Sequence, residues 1–217
     1  MPQTSGEVYR LLIADDHAIV RDGLRAILKD EGFEVVGEAS DGLEAIRLCE
    51  ELGPDIAVVD ISMPLLNGID AARQILKASP KIKIVVLSMH TEKRYVLACL
   101  RAGIVAYVTK STAASSLIQA IDAVRKGEIY LSPGVSREVV DAYLAKDESP
   151  PDPLSIRERE VLQLIAEGKN VKEIGNILGI STKTAESHRT NIMEKLNIHE
   201  IVGLIRYAIR EGIVGPP

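Results

Sequence analysis

Short apolar runs and amphipathic stretches alternate along the first part of the chain. The runs are Val8–Ala14, Phe33–Ala39, Ile56–Val59, Ile82–Leu87 and Ile104–Val108. Most are rich in β-branched residues and nearly unbroken in apolar character, the pattern of strands covered on both faces in a parallel sheet. Phe33–Ala39 is more mixed, with Glu34 and Glu38, and suits a sheet edge. Segments of helix length lie between the runs. In the first, Val20, Leu24, Ile27 and Leu28 recur at i, i+4, i+7 and i+8 and make one apolar stripe. Gly32, Gly53, Gly103 and Gly127 fall where helices should stop. Repeated strand–helix units predict a doubly wound α/β unit over residues 1–127, with a five-stranded parallel sheet in the order 2-1-3-4-5 and the mixed strand at an edge.

The pattern then changes. Lys146–Pro153 holds three prolines and three acids in eight residues, which neither a helix nor a central strand tolerates. Residues 128–153 therefore read as a linker, with a short amphipathic helix marked by Val135, Val139, Val140 and Tyr143. Residues 154–217 read as all helical. Ser155 and Glu158 form a capping-box signature ahead of Val161, Leu162 and Ile165, and Gly168 ends that helix. Val171, Ile174 and Leu178 mark a second helix, broken at Gly179-Ile180. Ser181 caps a third, whose inner face is Ala185, Ile192 and Leu196, and a fourth from about Glu200 to Glu211 carries Val202, Ile205 and Ile209.

Charge sharpens this division. The chain of 217 residues has a formal net charge of −5, yet residues 154–217 carry nine basic and eight acidic side chains. Such a protein does not coat nucleic acid everywhere, but a local reader is compatible with it. No uncharged run approaches the ~18 residues of a membrane helix, and the first residues show neither a basic nor an apolar leader segment, so no membrane contact is expected. Cys49 and Cys99 stand alone in helix-like segments, as in a protein of the reducing cytoplasm.

The predicted sheet locates the chemistry. In open parallel sheets the functional crevice lies beyond the C-terminal strand ends, at the switch between the first and third strands. Asp15 and Asp16 close the first strand, Asp60 the third, Ser88 the fourth, and Thr109-Lys110 the fifth. Each residue alone has an ordinary role; Asp15 or Asp16 could simply cap a helix. Together they place a hydroxyl and an ammonium on a carboxylate cluster whose repulsion needs neutralising. A hard divalent ion, Mg²⁺, fits an all-oxygen site. Asp60, the central carboxylate and already ionised at neutral pH, is the candidate nucleophile towards phosphorus.

These residues resemble the receiver domain of bacterial two-component response regulators, a flavodoxin-like fold, over roughly residues 8–127. The matching motifs are Leu-Ile-Ala-Asp15-Asp16-His17, Val-Val-Asp60-Ile-Ser-Met63-Pro64, Val-Leu-Ser88 and Ala106-Tyr107-Val-Thr-Lys110. The resemblance implies that Asp60 accepts phosphate from a histidine kinase. It also implies Mg²⁺ on Asp16, Asp60 and the Ser62 backbone carbonyl, with Asp15 acting through water, and Tyr107 serving as a switch coupled to Ser88.

The C-terminal segment is similar to the LuxR-type helix-turn-helix, in which the second helix of the motif enters the major groove. Leu154-Ser-Ile-Arg-Glu158-Arg-Glu160, Lys172-Glu173-Ile174, Ile180-Ser181-Thr-Lys183-Thr184, His188 and Lys195-Leu196 carry the likeness. Gly175 and Ala185 stand where alanine and valine are usual. The outer face of the third helix offers Lys183, Thr184, Ser187, His188, Arg189, Asn191 and Lys195 to double-stranded DNA, with Glu186 also on that face. The whole chain looks like the NarL/FixJ class, a phosphorylation-controlled transcriptional regulator and not an enzyme, binding DNA as a homodimer. One rival is a signalling adaptor whose helical module binds protein. The other is a haloacid-dehalogenase-like phosphatase, which wants a second acid two residues past the nucleophile, where this chain has Ser62.

Overall fold

The computed structural model describes residues 8–135 and 152–215. Strands β1 (Arg10–Ala14), β2 (Glu34–Ala39), β3 (Ile56–Val59), β4 (Lys83–Ser88), β5 (Ala106–Thr109) and β6 (Tyr130–Leu131) form one parallel sheet in the order β2-β1-β3-β4-β5-β6. The expected order holds for the first five strands. Among the described residues the sheet has six strands and not five, because Tyr130 and Leu131 pair with Ala106 and Tyr107. Two residues are too few to show a period, so only pairing with β5 reveals them. The buried side chain of Val135 also belongs to this unit, eight residues beyond the boundary expected at 127.

Side-chain alternation along the strands builds two cores. Leu12 and Ala14 face α2 (Gly42–Leu52), α3 (Gly68–Ala78) and α4 (Lys93–Arg101); Leu11 and Ile13 face α1 (Ala18–Asp30) and α5 (Ala113–Arg125). Leu24 and Leu28, from the expected stripe, are the buried residues of α1. The edge strand β2 is only partly covered, which is why its sequence tolerates Glu34 and Glu38.

The second unit packs α6 (Ile156–Ala166), α7 (Val171–Leu178), α8 (Thr182–Leu196) and α9 (Ile201–Arg210) around Leu162, Leu164, Ile174, Ile192 and Leu204. Its boundaries are chemical. Ser155 with Glu158 and Asn170 with Glu173 complete capping boxes on α6 and α7. Gly179, at φ 65°, ends α7, and Ser181 caps α8. A Cβ on Gly175 would lie 2.9 Å from the Ile180 carbonyl oxygen, so the tight turn between α7 and α8 favours glycine there.

The fourth helix turns a different face inward from the one expected: Leu204 and Ala208 are buried, whereas Val202 is 57% exposed. The apolar residues of α9 surround much of its circumference, so periodicity alone could not choose among them. The amphipathic segment at Val139, Val140 and Tyr143 lies outside the described residues. No helix among the described residues is long and apolar enough to cross a membrane.

Candidate functional site: an acidic pocket and an exposed helix

The pocket forms where β1, β3, β4 and β5 end together. The Asp60 N–H donates to the Ala14 carbonyl at 2.8 Å, continuing the β1–β3 ladder and setting Asp60 beside Asp15. Both carboxylates are buried. The Lys110 ammonium spans them, 2.6 Å from Asp15 Oδ2 and 3.0 Å from Asp60 Oδ2, while Asp60 Oδ1 accepts the Ile61 N–H at 2.8 Å. The chain after Asp60 doubles back tightly: a Cβ on Gly68 would lie 1.9 Å from the Asp60 carbonyl oxygen. Glycine is required there by close approach, and Asn67 immediately caps α3.

Burial pushes the Asp60 carboxyl above its ordinary range, opposed by Lys110 and reinforced by the Asp15 charge. For Lys110 burial works downwards, but the bonds and charges of Asp15 and Asp60 prevail and hold its pKa up. The pocket is therefore a coupled cluster with more negative charge than its one ammonium balances.

Asp16 is about a third exposed and meets His17 Nδ1 at 2.8 Å; Asp15 Oδ1 lies 3.3 Å from the same nitrogen. His17 is the N-cap residue of α1 and makes no side-chain cap bond, so neither aspartate serves merely as a helix cap. Asp15, Asp16 and His17 bring one donor atom each within 4.8 Å of the others. Asp60 is not part of this trio; it adjoins it through Asp15, with which it shares the Lys110 ammonium. Uncompensated oxygen charge in a pocket of carboxylates fits a hard divalent cation.

Ser88 is fully buried, and its Oγ accepts the His90 N–H at 3.1 Å. Tyr107 is also buried and donates its hydroxyl to the His90 carbonyl at 2.7 Å. Burial drives the Tyr107 pKa upwards, keeping the phenol a donor. The two expected switch residues thus meet on the backbone of one residue that the sequence did not single out. The His90 ring lies 2.9 Å from Ser62 Oγ through Nε2 and stacks on Tyr95 at 4.0 Å between centroids. Nothing in the spacing of His90 reveals this, since it depends on the turn after β4. Cys49 and Cys99 are free and buried, and burial lifts both thiols to about 12, which makes them inert packing groups.

In the helical unit, α8 presents Lys183, Thr184, Ser187 and Asn191 to solvent, with His188 and Arg189 half-buried. Arg189 is paired with Glu186 one turn earlier, so the acid on this face holds a cation and does not stand alone. Lys195 is placed differently. Its ammonium lies 2.7 Å from Glu158 on α6, tying α8 to α6 within the unit.

Comparison with known proteins agrees with both halves. Residues 11–122 match the response regulator receiver domain, and residues 152–208 match the bacterial regulatory proteins of the luxR family. Response regulator UvrY of Escherichia coli K12 is 37% identical over 206 residues, 94% of each chain. Transcriptional regulatory protein LiaR of Bacillus subtilis is 40% identical over 208 residues, 94% of this chain and 99% of that one. RcsB from Salmonella enterica serovar Typhimurium, solved bound to a promoter with the phosphomimetic BeF3-, matches with a TM-score of 0.60 at 32% identity, over 93% of this chain and 98% of that one. The chain belongs to the NarL/FixJ class of response regulators, transcriptional regulators that join a receiver domain to a luxR-type DNA-binding domain.

Proposed function

We propose that Asp60 is the phosphoacceptor, charged by a histidine kinase in the cytoplasm, and that its state governs how α8 grips double-stranded DNA. The observation that carries this is the Lys110 ammonium shared between Asp15 and Asp60 at the strand ends, with Ser88 on the neighbouring strand. Asp60 Oδ attacks phosphorus, the bond from phosphorus to the donor nitrogen or oxygen breaks, and the leaving group departs with that electron pair. Lys110 and the Ser88 hydroxyl are the donors placed to meet the oxygens of the arriving group. Asp16 and Asp60, the Ser62 carbonyl, and Asp15 through water would hold Mg²⁺, which when bound neutralises phosphoryl charge. Tyr107 reports the change through its bond to His90.

On the DNA side, Lys183, Thr184, Ser187, His188, Arg189 and Asn191 form the reading face, and two copies of the chain together read two half-sites. Lys195 supports that face through Glu158.

Acetyl phosphate with Mg²⁺ should add one phosphoryl group to the full chain, and Asp60→Asn or chelation of the metal should abolish labelling. Labelling that survives Asp60→Asn defeats the assignment. Selection from random duplexes by the labelled chain should return a two-fold symmetric sequence. Absence of enrichment would favour the adaptor reading.

A further inference from the structure

The two units meet at the segment after Asp60, where Gln163 of α6 donates from Nε2 to the Met63 carbonyl at 3.1 Å and Glu167 accepts the Leu65 N–H at 3.0 Å. The same two units also wall a cleft of about 730 Å³, with α3 and α4 of the receiver on one side and α6 and α9 of the helical unit on the other. That volume is within the range of small-molecule sites, which favour the junction of two units. Among the described residues none from α8 lines the cleft, so it is separate from the reading face.

The lining is cationic in a chain whose net charge is −5. Arg73, Arg94, Arg101, Arg159 and Arg210 face the cleft, against Asp152 and Glu211. Part of that charge is already matched. Arg73 and Arg159 both bond the buried Asp70, Arg159 also pairs with Asp152, and Arg210 pairs with Glu211. Five cations thus meet three carboxylates, and the excess lies on α4. Arg94 is held by its bond to the Arg210 carbonyl at 2.6 Å and by the Tyr95 ring at 4.8 Å, while Glu92, which does not line the cleft, reaches it only at 4.0 Å. Arg101 is exposed and has no ion-pair partner among the described residues.

Shape narrows the ligand. Arg94, Leu97, Ala98 and Arg101 recur at i, i+3, i+4 and i+7, so one face of α4 carries two guanidinium groups about 10 Å apart along the axis with an apolar step between them. From the helical unit, Tyr207, Leu154 and Ile156 add aromatic and apolar surface. A guanidinium fork matches two phosphate oxygens at once. The aromatic and apolar walls suit a flat ring system, and a simple inorganic anion would not use them. We propose that the cleft binds a nucleotide, with its phosphates on Arg101 and Arg94 and its base against Tyr207 and the apolar step of α4. Such a ligand touches both units at once.

The test titrates the full chain calorimetrically with ADP, with GDP and with inorganic pyrophosphate, in EDTA so that no metal bridges phosphate to the acidic pocket. At least one nucleotide should bind saturably, one per chain, and more tightly than pyrophosphate. Arg101→Ala should weaken that binding about tenfold, the loss of one charge-assisted hydrogen bond, with an unchanged thermal melt. Arg101→Lys should fall between the two, since it keeps the charge and loses the fork. Tyr207→Leu should bring the nucleotide down towards the affinity of pyrophosphate and leave pyrophosphate itself unaffected. Failure of both nucleotides to saturate by about 1 mM, or wild-type affinity in Arg101→Ala, overturns the site. Equal affinity for pyrophosphate and nucleotide overturns the ligand class. Nucleotide binding lost in Lys183→Ala and kept in Arg101→Ala would put the ligand on the reading face and overturn the proposal as well.

Discussion

Glu158 and Asp60 are equally buried, each 4% exposed, and each faces a lysine, yet their surroundings drive them in opposite directions. Asp60 shares its ammonium with a second carboxylate, and burial raises its pKa. Burial also works to raise Glu158, but the Lys195 ammonium and the Ser155 N–H and hydroxyl prevail, and its pKa falls below the ordinary 4.5. Folding therefore favours the charged form of Glu158. That contribution is complete above pH 4.5 and fades as the pH drops through the lower folded value. Glu158→Gln should lower the urea midpoint of the helical unit at pH 7 and flatten its decline below pH 5. A variant whose midpoint falls as steeply as the wild type's would place the acid sensitivity elsewhere. Asp60 and Lys110 were legible because strand ends can be read from apolar runs, and sheet topology brings those ends together. The Lys195–Glu158 pair was not, since a lysine on an exposed helix reads equally as a phosphate contact or a structural tie.

Among the elements, α8 shows how caps outlast composition. It is a polar helix with Ala185 and Ile192 as its buried residues, yet Ser181 fixes its start and Asn197, at φ 51°, its end. Those caps set which side chains fall on the open face. Lys183 is exposed on the first turn; in the proposed complex it meets a phosphate, and a phosphate contact carries no sequence information. Lys183→Ala should weaken binding about equally for all sequences and reduce the salt dependence of log K by about one unit, measured by titration at several salt concentrations. A sequence-selective loss would make it a base contact instead. The helix ends at Gly32, Gly53, Gly103 and Gly127 were readable because each adopts positive φ, which side chains resist. The buried face of α9 was not, because the choice between Val202 and Leu204 belongs to its neighbours.

Across the whole molecule, the acidic excess lies outside the helical unit, and the cores of the two units are largely separate. Among the described residues, Leu65 is the receiver side chain that packs with the second core. A fragment of residues 150–217 should therefore fold alone, with a helical circular dichroism spectrum and cooperative melting at a lower temperature than in the full chain. A non-cooperative melt would mean that the unit depends on the receiver for its fold.

Residue order by itself determined the two units, the strand order, the caps and the cluster at the strand ends. These follow from periods of two and 3.6, from turn chemistry, and from the rule that parallel strands present their carboxyl ends together. Tertiary structure alone decided the sixth strand, the meeting of Ser88 and Tyr107 on His90, and the grip of Gln163 and Glu167 on the segment after Asp60. Those are contacts between residues remote in sequence, set by how finished surfaces pack, and no local period records them.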